Sequence, residues 1–124
     1  MLVDDERDLV DLFPSELKRQ GGFEVCGFTD PAVALEEFSS APEAYVLVIS
    51  DIRMSKMNGF DLVRRIRQIK PEIKVLLITA FEINNNEFSS VLPSIKVDGF
   101  IQKPFTPSKL VDGIREMLMQ IRNQ

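Results

Sequence analysis

Ile73-Lys74-Val75-Leu76-Leu77-Ile78-Thr79 is the stretch from which the fold can be read. Its centre, Val75-Leu76-Leu77-Ile78, is apolar at every position. A strand with one wet face alternates apolar and polar residues. An unbroken apolar run suits a strand covered on both faces, as in a parallel sheet flanked by helices. Comparable runs occur at Tyr45–Ile49 and Val97–Ile101, and nearer the start at Phe23–Phe28 and Met1–Val3.

Amphipathic segments separate these runs. Leu110, Val111, Ile114, Met117, Leu118 and Ile121 recur at helical spacing, with Thr106 placed to cap and Pro107 in the first turn. Phe60–Lys70 carries Leu62, Ile66 and Ile69 on one face, and Pro71 stops it. Ala32–Ser40 follows Asp30-Pro31, and Arg7–Gln20 closes on Gly21-Gly22. Pro14 predicts a kink or broken turn inside that last helix. Asn84–Ser94 is a weak fourth segment, limited by Pro93 to about two turns. The order βαβαβαβαβα predicts an α/β fold, a parallel five-stranded sheet with helices on both faces. Without a linker, repeat or low-complexity stretch, residues 1–124 read as one domain.

Composition narrows the chemistry. Hydrophobic residues make up 44% and charged residues 27%, enough for a core without disulfides or structural metal. The net charge of −4 weighs against direct nucleic-acid binding. No apolar run approaches the roughly 20 residues of a bilayer span, and Met1-Leu2-Val3 runs directly into acidic residues, so neither membrane nor signal peptide is expected. A single cysteine, Cys26, forbids an intrachain disulfide and fits a reducing, cytoplasmic setting. The chain contains no histidine, which excludes a Ser-His-Asp hydrolase, a Cys-His protease, a His-liganded zinc site and a phosphohistidine donor.

In open α/β sheets, ligands bind beyond the carboxyl ends of the strands. Asp4 and Asp5 follow the first run, Asp51 the third, Thr79 closes the fourth and Lys103 follows the fifth. Each has an ordinary reading alone: a helix N-terminus for the acidic pair, a turn for Asp51, a strand position for Thr79, a loop lysine for Lys103. Together they project to one edge. Three crowded carboxylates resist ionisation and call for a cation, and an all-oxygen set suits Mg²⁺. A carboxylate so held, facing a hydroxyl and an ammonium, is equipped for phosphoryl transfer, with Asp51 as nucleophile.

Asp4-Asp5-Glu6, Asp51-Ile52-Arg53-Met54, Asn58-Gly59, Thr79-Ala80 and Lys103-Pro104-Phe105 closely resemble, in order and separation, the response-regulator receiver family. The resemblance covers essentially the whole chain. It implies a flavodoxin-like, doubly wound (βα)5 fold with strand order 2-1-3-4-5. It implies Asp51 as phosphoacceptor, Mg²⁺ held by Asp5, by Asp4 through water, by Asp51 and by the Arg53 carbonyl, and Thr79 and Lys103 on the phosphoryl group. Phe100 matches the switch aromatic, and the Lys103–Pro104 bond is expected to be cis. The implied partners are a sensor histidine kinase or phosphotransfer protein, then an output domain, a target protein or a second copy. The implied activity is self-phosphorylation and autodephosphorylation rather than turnover. Three features depart from the family: a short first strand, Ser55 where proline is common, and Pro93.

Other functions on this architecture fit less well. A haloacid-dehalogenase-like phosphatase would carry a second acid two residues after its nucleophile, where this chain has Arg53. A flavodoxin-like carrier needs a Ser/Thr/Gly-rich phosphate loop where Asp4-Asp5-Glu6-Arg7 would repel phosphate. A P-loop is absent. A degenerate receiver acting as a phosphorylation-independent binding module would not need the complete acidic set. Outside the constellation, Cys26 reads as a buried structural thiol, Arg64-Arg65-Arg67 as a solvated helix face, and Asp98-Gly99 as a simple turn.

Overall fold

The computed structural model describes residues 1–80 and 97–122. Strands β1 (Leu2–Val3), β2 (Gly27–Phe28), β3 (Leu47–Asp51), β4 (Lys74–Thr79) and β5 (Gly99–Gln102) form one sheet. All pairs are parallel and the order is β2-β1-β3-β4-β5. Helices α1 (Arg7–Gly21), α2 (Pro31–Ser40), α3 (Gly59–Ile69) and α4 (Pro107–Arg122) connect and follow the strands, with a 3₁₀ turn at Pro42–Ala44. The expected helix at Asn84–Ser94 lies outside the described residues.

The apolar run in β4 is explained by two separate cores. Val75 and Leu77 face α2 and α3, meeting Ala34, Phe38, Leu62, Val63 and Ile66. Leu76 and Ile78 face the other way, toward Phe13 and Leu17 of α1 and Leu110, Val111, Ile114 and Met117 of α4. Successive strand side chains point to opposite faces, so a strand between two helical layers must be apolar throughout.

Local signals set the helix ends. Asp30 accepts a hydrogen bond from Ala32 N at the start of α2, and Asn58 accepts one from Asp61 N at the start of α3. Thr106 Oγ1 accepts from Lys109 N at the start of α4. Gly22 ends α1 with φ 73°, a left-handed turn that glycine adopts without a Cβ penalty.

Several expectations need correction. The turn at Pro14 is not broken, and α1 continues through it; the proline ring lies over β2, where Gly27 lacks the side chain that would meet Val10 and Pro14. In β2 only Gly27–Phe28 pairs, because the run from Phe23 reaches the sheet only at its end. Strand β3 begins at Leu47, since Tyr45 follows the 3₁₀ turn. Cys26 is exposed, not buried, as expected of a residue at the sheet's edge just before β2. Burial, followed by a hydrogen bond with Cys26, pushes the Tyr45 hydroxyl up to about 12. On α3, Leu62 and Ile66 are buried as expected and Val63 joins them, but Ile69, at the helix's last turn, is 41% exposed.

Arg67 and Asp98 are the largest departures. Arg64 and Arg65 are exposed, but Arg67 is nearly covered. It donates to Asp98 Oδ2 at 3.1 Å and to the Ile73 carbonyl at 3.1 Å. The same Asp98 oxygen accepts from Val75 N at 2.8 Å, and Asp98 N donates to the Val75 carbonyl at 2.9 Å. Asp98 thus clasps α3 to β4 at the end of the sheet away from the acidic residues.

Candidate functional site

The site is built where β1, β3, β4 and β5 end. Asp4 directly follows β1, Asp51 is the last residue of β3 and Thr79 the last of β4. Lys103 directly follows β5, and its backbone N–H donates to the Thr79 carbonyl at 2.7 Å. Parallel register aligns these ends: Asp51 pairs with Ile78, and Thr79 with Gln102. Lys103–Pro104 is cis, as the resemblance implied.

The expected residues do converge. Asp4 and Asp51 are buried and Asp5 is exposed, and each offers a carboxylate oxygen within 4.8 Å of the other two. Lys103 Nζ stands 3.1 Å from Asp4 Oδ2 and 3.4 Å from Asp51 Oδ2. Asp4 Oδ1 accepts from Glu6 N at 2.9 Å and from Lys103 Nζ at 3.3 Å, so both oxygens of this carboxylate lie against the ammonium.

Burial and crowding set the charges. Asp51 is pushed up to about 6, first by desolvation and then by the charge of Asp4, while Lys103 pulls it back. Burial also holds the Asp4 carboxyl above its usual range, against the Glu6 N–H and Lys103. Burial acts against the Lys103 ammonium, but Glu6, Asp4 and Asp51 outweigh it and hold its pKa above the usual lysine range. Two buried carboxylates thus share one ammonium. The three-carboxylate set has the all-oxygen chemistry that could bind a hard divalent cation.

The loop after Asp51 is closed tightly. Ile52 N donates to the Ile78 carbonyl, and Gly59 N donates to the Ile52 carbonyl at 2.8 Å. A Cβ at Gly59 would overlap the Asp51 carbonyl oxygen and lie 3.0 Å from Ile52 Cα. Lys56, in the same loop, pairs with Asp30 at 2.8 Å and ties it to the start of α2.

The family profile described as the response regulator receiver domain matches residues 1–115. The chain belongs to that family. Response regulator SaeR of Staphylococcus aureus is 28% identical over 122 residues, 98% of this chain and 51% of SaeR. The chain therefore spans about half the length of the curated relatives it matches. Among solved structures, a CheY-like receiver domain protein from Methanospirillum hungatei superposes with a TM-score of 0.84 at 24% identity, covering 99% of this chain and 95% of that one. Chemotaxis protein CheY4 of Vibrio cholerae gives 0.82 at 24% identity, covering 94% of each chain. These likenesses establish the flavodoxin-like fold of strand order 2-1-3-4-5 and a receiver domain of two-component signalling. They favour neither the phosphatase nor the degenerate module.

In this receiver domain Thr79 is buried at the edge of the site. Phe100 is half-buried, opposite Leu77 in the register and packed against the α2–α3 core. Leu77 and Thr79 share one face of β4, as Phe100 and Gln102 share one face of β5, by strand alternation. Arg53 is exposed in the loop two residues beyond Asp51. Sequence reasoning missed Glu6 as a site residue: its Oε1 lies 2.7 Å from Lys103 Nζ, nearer than either aspartate. Nothing in the local pattern marks it, because the contact depends on the course of the chain after β5.

Proposed function

We propose that this receiver domain takes a phosphoryl group onto Asp51 from a phosphohistidine of a sensor kinase or phosphotransfer protein. The observation that carries the reading is the position of Asp51: buried, 3.4 Å from Lys103 Nζ and grouped with Asp4 and Asp5. A carboxylate oxygen of Asp51 attacks phosphorus, and the bond from phosphorus to the donor's imidazole nitrogen breaks. That nitrogen keeps the electron pair, so the phosphoryl group leaves histidine as an acyl phosphate on Asp51.

With Asp51 at about 6, most of its carboxylate is ionised at neutral pH and competent to attack. Lys103 is protonated there and supplies positive charge to the transferring oxygens. Thr79, closing the neighbouring strand, contributes its hydroxyl to the same group. Asp5, Asp51, the Arg53 carbonyl and, through water, Asp4 would hold Mg²⁺. Mg²⁺ supplies charge neutralisation for the carboxylates and the phosphoryl oxygens.

The switch assigned to this domain runs from Thr79 to Phe100, a half-buried aromatic on the same side of the sheet. Its output is an altered surface toward an output domain, a target protein or a second copy. The domain catalyses only its own phosphorylation from small donors and its own slow dephosphorylation. This reading places it in the cytoplasm, where an exposed single thiol such as Cys26 stays reduced.

The test is intact-mass measurement after incubation with acetyl phosphate or a phosphorylated partner, with Mg²⁺ or with chelator. One added phosphoryl group, dependent on Mg²⁺ and lost in Asp51→Asn, is expected. Equal labelling of Asp51→Asn would move the site, and no labelling of the natural sequence by any donor would point to a binding module.

A further inference from the structure

The Lys103 ammonium is shared unequally. Glu6 Oε1 is 2.7 Å from Nζ, Asp4 Oδ2 3.1 Å and Asp51 Oδ2 3.4 Å. Glu6 is 60% exposed, whereas both aspartates are buried. The lysine therefore rests with its shortest contact on the outermost carboxylate, on the solvent side of the nucleophile. Glu6 is also fixed locally: it is the residue before α1, and its N–H donates to Asp4 Oδ1 at 2.9 Å.

We propose that Glu6 is a positioning residue that draws Lys103 outward, leaving Asp51 its longest contact in the resting domain, and competes with the phosphoryl group for its ammonium. The inference rests on the phosphoacceptor reading and adds a cost to it: Lys103 must give up its Glu6 contact to engage a phosphoryl group on Asp51. A ligand shifts such an equilibrium only by its preference for one arrangement over the other, so loosening the resting arrangement tightens the loaded one. An exposed ion pair is worth little, about 0.2–1 kcal/mol, which corresponds to about a 1.4- to fivefold effect.

Beryllofluoride at saturating Mg²⁺ serves as the probe, its fluorines standing in for the phosphoryl oxygens on Asp51. Glu6→Gln is expected to raise beryllofluoride affinity about two- to fivefold. Glu6→Asp keeps the charge but withdraws the carboxylate by about 1.5 Å, one C–C bond length, so it should raise affinity similarly. In the Lys103→Ala background, Glu6→Gln should change nothing. The ¹⁵Nζ signal of Lys103 should shift in Glu6→Gln without probe, which a merely structural role would not produce. A gain in Glu6→Gln but not in Glu6→Asp would make the effect one of net charge and overturn the proposal. So would a gain that survives in Lys103→Ala, or no gain at all. If the natural sequence binds no beryllofluoride with Mg²⁺, the phosphoacceptor reading itself fails. That outcome is separable, because the Lys103 signal still reports whether Glu6 holds the ammonium.

Discussion

Gly59 lies against the Asp51 backbone so closely that a Cβ on it would overlap the Asp51 carbonyl oxygen. The first residue of α3 is thereby made part of the site: helix and nucleophile strand cannot be separated by even one methyl group. Gly59→Ala must push α3 or the end of β3 outward. A loss of about 1–3 kcal/mol in stability is expected, as for overpacking, together with slower phosphorylation of Asp51. Denaturant unfolding and labelling rates measured on the same samples check this; unchanged stability would show that the contact relaxes freely.

Asp51 gives a pH signature with a definite sign. Its pKa is about 6 in the folded chain against an ordinary 3.8. The folded state then holds its proton more tightly than the unfolded state, so this group's contribution to stability is greatest below about pH 4 and is lost as pH rises to about 6. Asp4 is shifted the same way. Without divalent cations, Asp51→Asn should therefore be more stable than the natural sequence by about 1–3 kcal/mol at pH 7, and the difference should shrink toward pH 4. Urea unfolding of both proteins across that range is the measurement. A difference that does not vary with pH would remove the electrostatic account.

Asp5 is exposed, so its loss should spare the fold and strike the metal. Asp5→Asn is expected to weaken Mg²⁺ binding by at least the roughly 10–100-fold seen for outer-shell partners of metal ligands. Thermal stability without Mg²⁺ should hardly change, while the rise expected on adding Mg²⁺ to the natural sequence should shrink or vanish. Titration followed by unfolding separates the two effects; undiminished Mg²⁺ affinity would take Asp5 out of the site.

Asp98 should behave in the opposite way. Asp98→Ala strips a partner from Arg67 and an acceptor from Val75 N, both poorly exposed. About 2 kcal/mol of stability should go, the usual cost of leaving such groups unmet. Because Asp98 precedes β5 and Lys103 follows it, Asp51 labelling at a temperature where the variant remains folded should be unaffected. Slowed labelling there would couple the two ends of the sheet.

The sequence alone determined the layers, the sheet and the residues that meet at its edge. A strand covered on both faces must be apolar throughout, as Val75-Leu76-Leu77-Ile78 is, and parallel strands carry whatever follows them to a common edge. Asp4, Asp5, Asp51, Thr79 and Lys103 were therefore legible before any coordinates. What only the tertiary structure decided depends on distances between segments far apart in the chain. That Arg67 turns inward to Asp98, that Cys26 faces solvent, that Pro14 leaves α1 unbroken over Gly27, and that Lys103 rests nearest Glu6 all follow from where one element passes another. Local patterns record which residues are apolar and how often they recur. They do not record which charged side chain a neighbouring element will bring within 3 Å, because an exposed carboxylate and a clasped one are the same letter in the sequence.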